Sequence, residues 1–344
     1  MRSEVTKFAL VQPTSIADAI AKLTQYGPDS AAAVSGATDV ISRNKNRISA
    51  HMFKYLVDLS GLGLSYIHST GDGMHIGATT TISSVVNDPN VNAVATVLAQ
   101  AGSSIATQQI QSMGTVGGDV LQEVWCPYLR NDFPCWRNGG NVCYGAIGDN
   151  RYYHSIFGGR LCYANHAGDL APALTALGAQ ASIQGPNGSR TVSMNELLPG
   201  ITVTNGHIKE NTVAFNEILT EFHIPTPASG SKSAFYKVRD RGTWDFALAS
   251  AAVVLNFSGG SIASASVVLG GVDVVPHRAA AAESYLVGKS LSEDVIQGAA
   301  AAAVQDATPL AWGTGNSYRV KIADGAVRKA LRSLSTTPNA SVWS

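Results

Sequence analysis

Hydrophobic positions along the first half of the chain alternate between helical and strand-like spacing, and one long stretch follows neither. Near the N-terminus, FALVQP reads as a strand, after which Ile16, Ala19, Ile20 and Leu23 recur at helical spacing. Ser15 is placed to cap that helix and Gly27 to stop it. Residues 31–34 predict a short buried strand that runs into a turn of small residues, Ser35-Gly36-Ala37-Thr38-Asp39, with a further helix from Val40. Residues 55–59 predict a strand, and 64–69 pair with 74–79 across Gly71-Asp72-Gly73. Helices follow over 81–86 and 91–101, and 109–119 (QIQSMGTVGGD) predict a second small-residue loop. Residues 125–169 then lose periodicity altogether.

Beyond that stretch the alternation resumes. Residues 170–177 predict an apolar helix, and 181–183 with 190–192 a hairpin across Pro186-Asn187-Gly188. Residues 213–224 read as a strand pair or one long bent strand ending at Pro225. Ala228-Ser229-Gly230-Ser231 marks a boundary. Strands are expected over 234–238, 246–255 and 264–269, and helices over 278–287, 293–307 and 323–334. This last part contains no nucleotide loop, metal-ligand cluster or nucleophile–base pair in its sequence.

Composition narrows the function classes. Twenty-four basic and 24 acidic residues leave no net charge, which argues against nucleic acid or an anionic membrane as principal partner. Only 14% of residues are charged, against roughly 25% in typical soluble domains, so the surface suits either coverage by other subunits or a bland monomer. No run approaches the roughly 18 apolar residues of a membrane span, and none near the N-terminus resembles a secretory signal. Export is therefore expected only alongside a partner, with a cytoplasmic location the alternative.

The aperiodic stretch holds all four cysteines, Cys126, Cys135, Cys143 and Cys162, spaced C-x8-C-x7-C-x18-C. A loop this long inside a domain is usually functional or disordered. None of the gaps has the two to four residues of a zinc knuckle. Disulfides need an oxidising compartment. An iron–sulfur cubane tolerates irregular spacing in loops and suits the stretch best, with disulfides, zinc and unrelated thiols left open. The two small-residue loops are separate candidates. Each places Thr and Asp beside glycine and permits close backbone approach to a diphosphate, although plain turns also look like this.

Taken together, VSGATD (34–39), IGATTT (76–81), GTVGGDVLQ (114–122), HAGDLAPAL (166–174), NEILTEFHIP (216–225) and SAFYKVRDR (233–241) resemble, in order, the FAD-binding medium subunit of molybdenum hydroxylases. VVLGGV, Pro276-His277-Arg278 and Glu283 resemble the C-terminal domain of the same flavoproteins. The resemblance implies an α+β fold: a two-part FAD-binding domain of the vanillyl-alcohol-oxidase type plus a C-terminal domain of antiparallel sheet and helices. It places subdomains at 1–60 and 61–228, a cysteine insertion at about 123–165, and the C-terminal domain at 229–344. With CPYLR and CYANHAGD around its cysteines, the chain looks most like the FAD subunit of bacterial periplasmic-type aldehyde oxidoreductases, with 4-hydroxybenzoyl-CoA reductases as the alternative. In the former, four cysteines here bind a [4Fe-4S] cluster beside the flavin.

By that resemblance Val34, Ser35, Gly36, Ala37, Thr38 and Asp39, with Thr115, Gly117, Gly118 and Asp119, hold the FAD diphosphate through backbone amides and the two threonine hydroxyls. Asp169 binds the flavin's sugar-like portion, Leu219 lies near the ring system or adenine, and Lys237 approaches the flavin side. The partners implied are a large molybdenum-cofactor subunit, a small [2Fe-2S] subunit and an external electron acceptor. No separate dinucleotide fingerprint supports NAD as that acceptor. The sequence leaves the cluster's role open among relay, electron store and structural pin, with a side store favoured. Two departures from the family pattern stand out. Ala37 replaces a glycine, which is compatible with close approach at negative φ, and Trp312-Gly313-Thr314-Gly315-Asn316 predicts an altered surface contact.

Overall fold

Local signals near the N-terminus produce the elements expected of them. The structure, a computed structural model, describes residues 5–48, 52–204 and 207–335, so residues 1–4 of the N-terminal stretch lie outside it. Ser15 accepts a hydrogen bond from the Asp18 amide, and Gly27 at φ +76° ends the helix Ile16–Tyr26. Ala19 and Leu23 from that helix pack on a parallel sheet of β1 (Ala9–Val11), β2 (Ala31–Val34) and β3 (Tyr55–Asp58), ordered β1-β3-β2.

A second sheet is antiparallel throughout. It combines β4 (Ile67–Ser69), β5 (Gly73–Gly77), β6 (Gln180–Gly185) and β7 (Gly188–Ser193) with a later strand. Between β7 and that strand lies a separate short hairpin of β8 (Thr202–Thr204) and β9 (His207–Lys209). The later strand, β10 (Ile218–Pro225), takes the centre in the order β4-β5-β10-β6-β7. The helices Ile82–Asn87, Thr96–Ser103 and Leu170–Ala176 cover it with Ile82, Leu98, Leu170 and Leu174, all buried.

Residues 226–231 lead into a third sheet, β11 (Lys232–Val238), β12 (Ala249–Ser258), β13 (Ser261–Gly270) and β14 (His277–Arg278), in sequential antiparallel order. Ala249, Ala251, Val253 and Leu255 of β12 face the helices Ala280–Leu286, Glu293–Ala303 and Tyr318–Leu334, while Ala252 joins the core beneath the second sheet. Burial on both faces explains why this strand reads as a continuous apolar run. Among the described residues no helix is long and apolar enough to cross a membrane.

Some elements differ from the sequence reading, two of them for reasons visible in the packing. The helix expected over 91–101 is two, Pro89–Val94 and Thr96–Ser103, broken at Ala95 (φ −132°). Alanine is the best helix former, so packing overrode propensity: Ala95 is fully buried. The strand expected from 213 starts only at Ile218, because Glu217 turns back to accept from the Ala214 amide (2.8 Å) and pairs with Arg190 (2.8 Å).

Candidate functional site

The first small-residue turn leaves β2 with its amides unused. The Val34 carbonyl accepts from Leu59 (2.7 Å) and completes the sheet. Ser35 and Gly36 are half-buried. The Ala37 and Asp39 carbonyls accept from Ile41 and Arg43 (3.0 Å each) and open the helix Val40–Asn46. The amides of Gly36, Ala37, Thr38 and Asp39 donate to no group among the described residues. Four adjacent free N–H groups on a half-buried turn suit an anion. Gly36 is dictated sterically, since a β-carbon there would strike the Met113 carbonyl. That near-contact brings the first turn against the second.

Ala37 does not meet the condition of a negative φ. Its φ is +54°, in the left-handed region, where an L-residue is disfavoured by roughly 1–2 kcal/mol. Ala37→Gly should therefore raise stability by about 1 kcal/mol in urea denaturation, and Ala37→Val should lower it. No gain on glycine substitution would show that the turn relaxes around the alanine.

The second stretch is not a loop. It forms two short helices, Gln108–Met113 and Val116–Leu121, capped by Thr107 and Thr115. Its amides are largely satisfied within the chain: Val116 donates to Thr80 O, Gly117 to Ala78 O and Asp119 to Thr115 O, each at 2.9 Å. Gly118 donates to Thr115 Oγ1 at 3.2 Å. Fewer diphosphate donors remain here than the sequence suggests, and Gly117 serves close packing against Ala78. Thr115 keeps its hydroxyl proton, while its oxygen caps the helix.

Behind the second stretch lies a buried polar cluster. Asp119 Oδ2 accepts from the Leu170 amide (2.8 Å), so its side chain caps the helix Leu170–Ala176. Asp169 pairs with Lys237 Nζ at 2.6 Å, with both side chains almost fully buried. Lys237 and Arg239 both donate to the Ser104 carbonyl (3.3 and 3.0 Å). Burial, then the nearby Asp169 carboxylate, pushes Asp119 up to about 7. Burial also raises Asp169, against the opposing charge of Lys237. His166 accepts at Nδ1 from Gly168 N (3.2 Å), which leaves Nε2 to donate to Val120 O (3.0 Å); burial keeps the ring neutral. Leu219 sits apart from this polar group, 5% exposed, in the core of the second sheet opposite Ile183.

The four cysteines converge from separate turns of the aperiodic stretch. All are free thiols, and Cys126, Cys135 and Cys162 are buried with Leu129, Ala164 and Ile208. Burial raises the Cys126 thiol to about 12 and also raises Cys135 and Cys143. Among the described residues no three sulfurs lie within 4.8 Å of one another, whereas a tetrahedral zinc with Zn–S near 2.3 Å holds its sulfurs about 3.8 Å apart. Polar groups reach two of them. Arg137 Nε donates to Cys162 Sγ (3.2 Å), and His154 Nε2 lies 3.4 Å from Cys126 Sγ. Burial, and then Arg319, push His154 down to about 4, so that ring is neutral.

The segment is tied to its surroundings on two sides. Arg130 pairs with Asp39 of the first turn (2.7 Å) and lies 4.0 Å over the Trp125 ring. On the other side Asn150 Nδ2 donates to Trp312 O (2.7 Å), Thr314 N to Gly148 O (3.0 Å), and Asn316 Nδ2 to Ser155 O (2.9 Å). The fully buried Arg319 donates to the carbonyls of His154 (2.6 Å) and Leu248 (2.7 Å) and to that of Gly271. The unusual 312–316 segment is thus where the cysteine segment docks.

With this arrangement in place, comparison with known proteins is direct. Residues 6–227 match the family described as the FAD binding domain in molybdopterin dehydrogenase, and 234–334 the CO dehydrogenase flavoprotein C-terminal domain. The chain belongs to the FAD-binding medium subunits of the molybdenum hydroxylase family. It is 30% identical to the carbon monoxide dehydrogenase medium chain of Afipia carboxidovorans, over 93% of this chain and 94% of that one. It is 31% identical to the aldehyde oxidoreductase FAD-binding subunit PaoB of Escherichia coli K12, over 74% of this chain and 78% of that one. The structure of reconstituted CO dehydrogenase from Oligotropha carboxidovorans superposes with a TM-score of 0.74 at 28% identity, over 96% of this chain and 98% of that one. The expected α+β arrangement of FAD-binding and C-terminal parts is the one found.

As a molybdenum-hydroxylase medium subunit the chain binds FAD, and the first turn fits it: free amides and the adjoining Thr115 hydroxyl. Several residues of the site are silent in the sequence. Arg130, Arg137, His154 and Arg239 are missing from the sequence-derived set. The available signal is the presence of Arg130 and Arg137 amid the cysteines of a chain otherwise poor in charge.

Proposed function

We propose that this medium subunit holds FAD on its first turn and a [4Fe-4S] cluster on Cys126, Cys135, Cys143 and Cys162, and carries electrons in a molybdenum-containing aldehyde oxidoreductase. The observation that carries this reading is the gathering of four free thiols beside the flavin turn, joined to it by the Arg130–Asp39 pair. Its partners are a large molybdenum-cofactor subunit and a small [2Fe-2S] subunit, with an external acceptor taking the electrons. Aldehyde is favoured as substrate class by the Escherichia coli relative, which is itself named as an aldehyde oxidoreductase subunit.

Bound FAD supplies interconversion of two-electron and one-electron transfer. The protein's part is to bind and to exclude water. The amides of Gly36, Ala37, Thr38 and Asp39 would receive the diphosphate, with hydroxyl donors from Thr38 and Thr115. Asp169 and Lys237 would meet the remainder of the cofactor as an oriented, desolvated pair. Burial makes the Cys126, Cys135 and Cys143 thiols resist ionising, so iron must offset that burial for thiolate ligation. Arg137 Nε already donates a hydrogen bond to the Cys162 sulfur.

The test is metal, sulfide and flavin analysis of the purified complex, with reduction followed by absorbance. About four iron and four sulfide per flavin beyond those of the small subunit are expected, and an aldehyde should bleach the flavin where carbon monoxide does not. A complex with flavin but no extra iron overturns the cluster, and bleaching by carbon monoxide alone overturns the aldehyde assignment. In Cys143→Ala, unchanged turnover with intact fold and flavin content would rule out an obligatory relay.

A further inference from the structure

On the second sheet, away from the flavin turn and the cysteines in sequence, three histidines stand side by side. His68 on β4 pairs in register with His75 on β5, and His75 with His223 on β10. Residues in register on neighbouring strands share a face, with β-carbons about 4.5–5.5 Å apart. The His75 and His223 rings stack at 4.6 Å. Asp72, in the turn of the β4–β5 hairpin, faces both: its carboxylate oxygens lie 3.5 Å from His75 Nε2 and 3.6 Å from His223 Nε2. His223 Nε2 is buried and makes no hydrogen bond.

We propose that Asp72, His75 and His223 bind a divalent first-row transition metal ion, with zinc the best match. Zinc bonds of about 2.0–2.1 Å to imidazole nitrogen and carboxylate oxygen put tetrahedral ligand atoms roughly 3.3–3.4 Å apart, close to the two spacings observed. Two imidazoles and a single carboxylate select against calcium and magnesium, which need oxygen ligands throughout. The surroundings are also those of a metal site. His75 Nδ1 is bonded to Glu221 Oε1 (3.0 Å), and Tyr66 holds the other oxygen of that carboxylate (2.8 Å). This partner fixes the tautomer that leaves Nε2 free to ligate, as a carboxylate behind a ligating histidine does elsewhere. Asp72 is exposed, so the ion enters from solvent and keeps water at its open position. The Thr226 amide donates to Asp72 O (3.2 Å), so the ion staples the hairpin tip to the point where the chain leaves β10 for the third sheet.

The test is zinc titration of the FAD-loaded complex against a chromophoric chelator, followed by cobalt substitution. One more zinc per complex is expected in the wild type than in the double variant His75→Ala, His223→Ala. The cobalt bound at this extra site in the wild type should lack the thiolate charge-transfer bands that binding at the cysteines would produce. Asp72→Asn, in an exposed turn and therefore safe for folding, should weaken binding at least tenfold, and Glu221→Gln by about 10–100-fold. Equal stoichiometry and affinity in the wild type, the double variant and Asp72→Asn would overturn the site, as would a cobalt spectrum that is thiolate in all of them.

Discussion

Arg137→Leu should destabilise the cysteine segment by about 3–5 kcal/mol and release the iron of the cluster proposed there. The guanidinium is 3% exposed and bonded at once to Glu123 Oε1 (2.8 Å), Glu210 Oε2 (2.7 Å) and Cys162 Sγ (3.2 Å). Burial alone would push it down, but Glu210 first, then the Cys162 sulfur and Glu123, hold it well above its ordinary value. Leucine leaves Glu210, itself buried, with an uncompensated charge. Lysine should rescue little, because one ammonium cannot span three acceptors set in a fork. The double variant Arg137→Leu, Glu210→Leu should recover much of the loss, since removing both members of a buried pair is far milder than removing one. Urea denaturation with iron analysis measures this, and a loss under about 1 kcal/mol in the single variant would refute it.

Lys237→Met is the second large effect, and it depends on pH. Removing Lys237 strands Asp169 in a buried site next to Asp119, which already sits up at about 7. In the variant both carboxyls are raised in the folded state above their unfolded value. A raised acid contributes stability that is fully present below its unfolded pKa and lost as pH rises through the folded one. The variant should therefore approach wild type near pH 4 and lose about 3–5 kcal/mol by pH 8, with weakened FAD retention. Adding Asp169→Asn should flatten the profile. Denaturation at several pH values tests the sign: a loss that grows toward acid would mean the pair is not what stabilises this region.

Much of the fold was legible because its signals are local. Ser15 and Gly27 bound the first helix by capping and by a positive φ, and hairpins form across Gly71-Asp72-Gly73 and Pro186-Asn187-Gly188 because those turns tolerate little else. The site was legible only as a set of pieces. Asp169 and Lys237 were both anticipated, but as separate contacts with flavin, and the structure joins them to each other. In the second stretch, residues that read as an open loop form two short helices, because Thr107 and Thr115 each supply a cap.

By itself the sequence determined the order of most helices and strands, the small-residue turn after β2 and the presence of four clustered thiols. Each follows from residues within a few positions of one another. Tertiary structure alone decided which charges meet. Asp39 finds Arg130 across 91 residues, Arg137 finds Glu210 across 73, and Lys237 finds Asp169 across 68. No local propensity encodes such pairs. A buried charge must have a partner, and which one it finds depends on what the completed fold brings within reach.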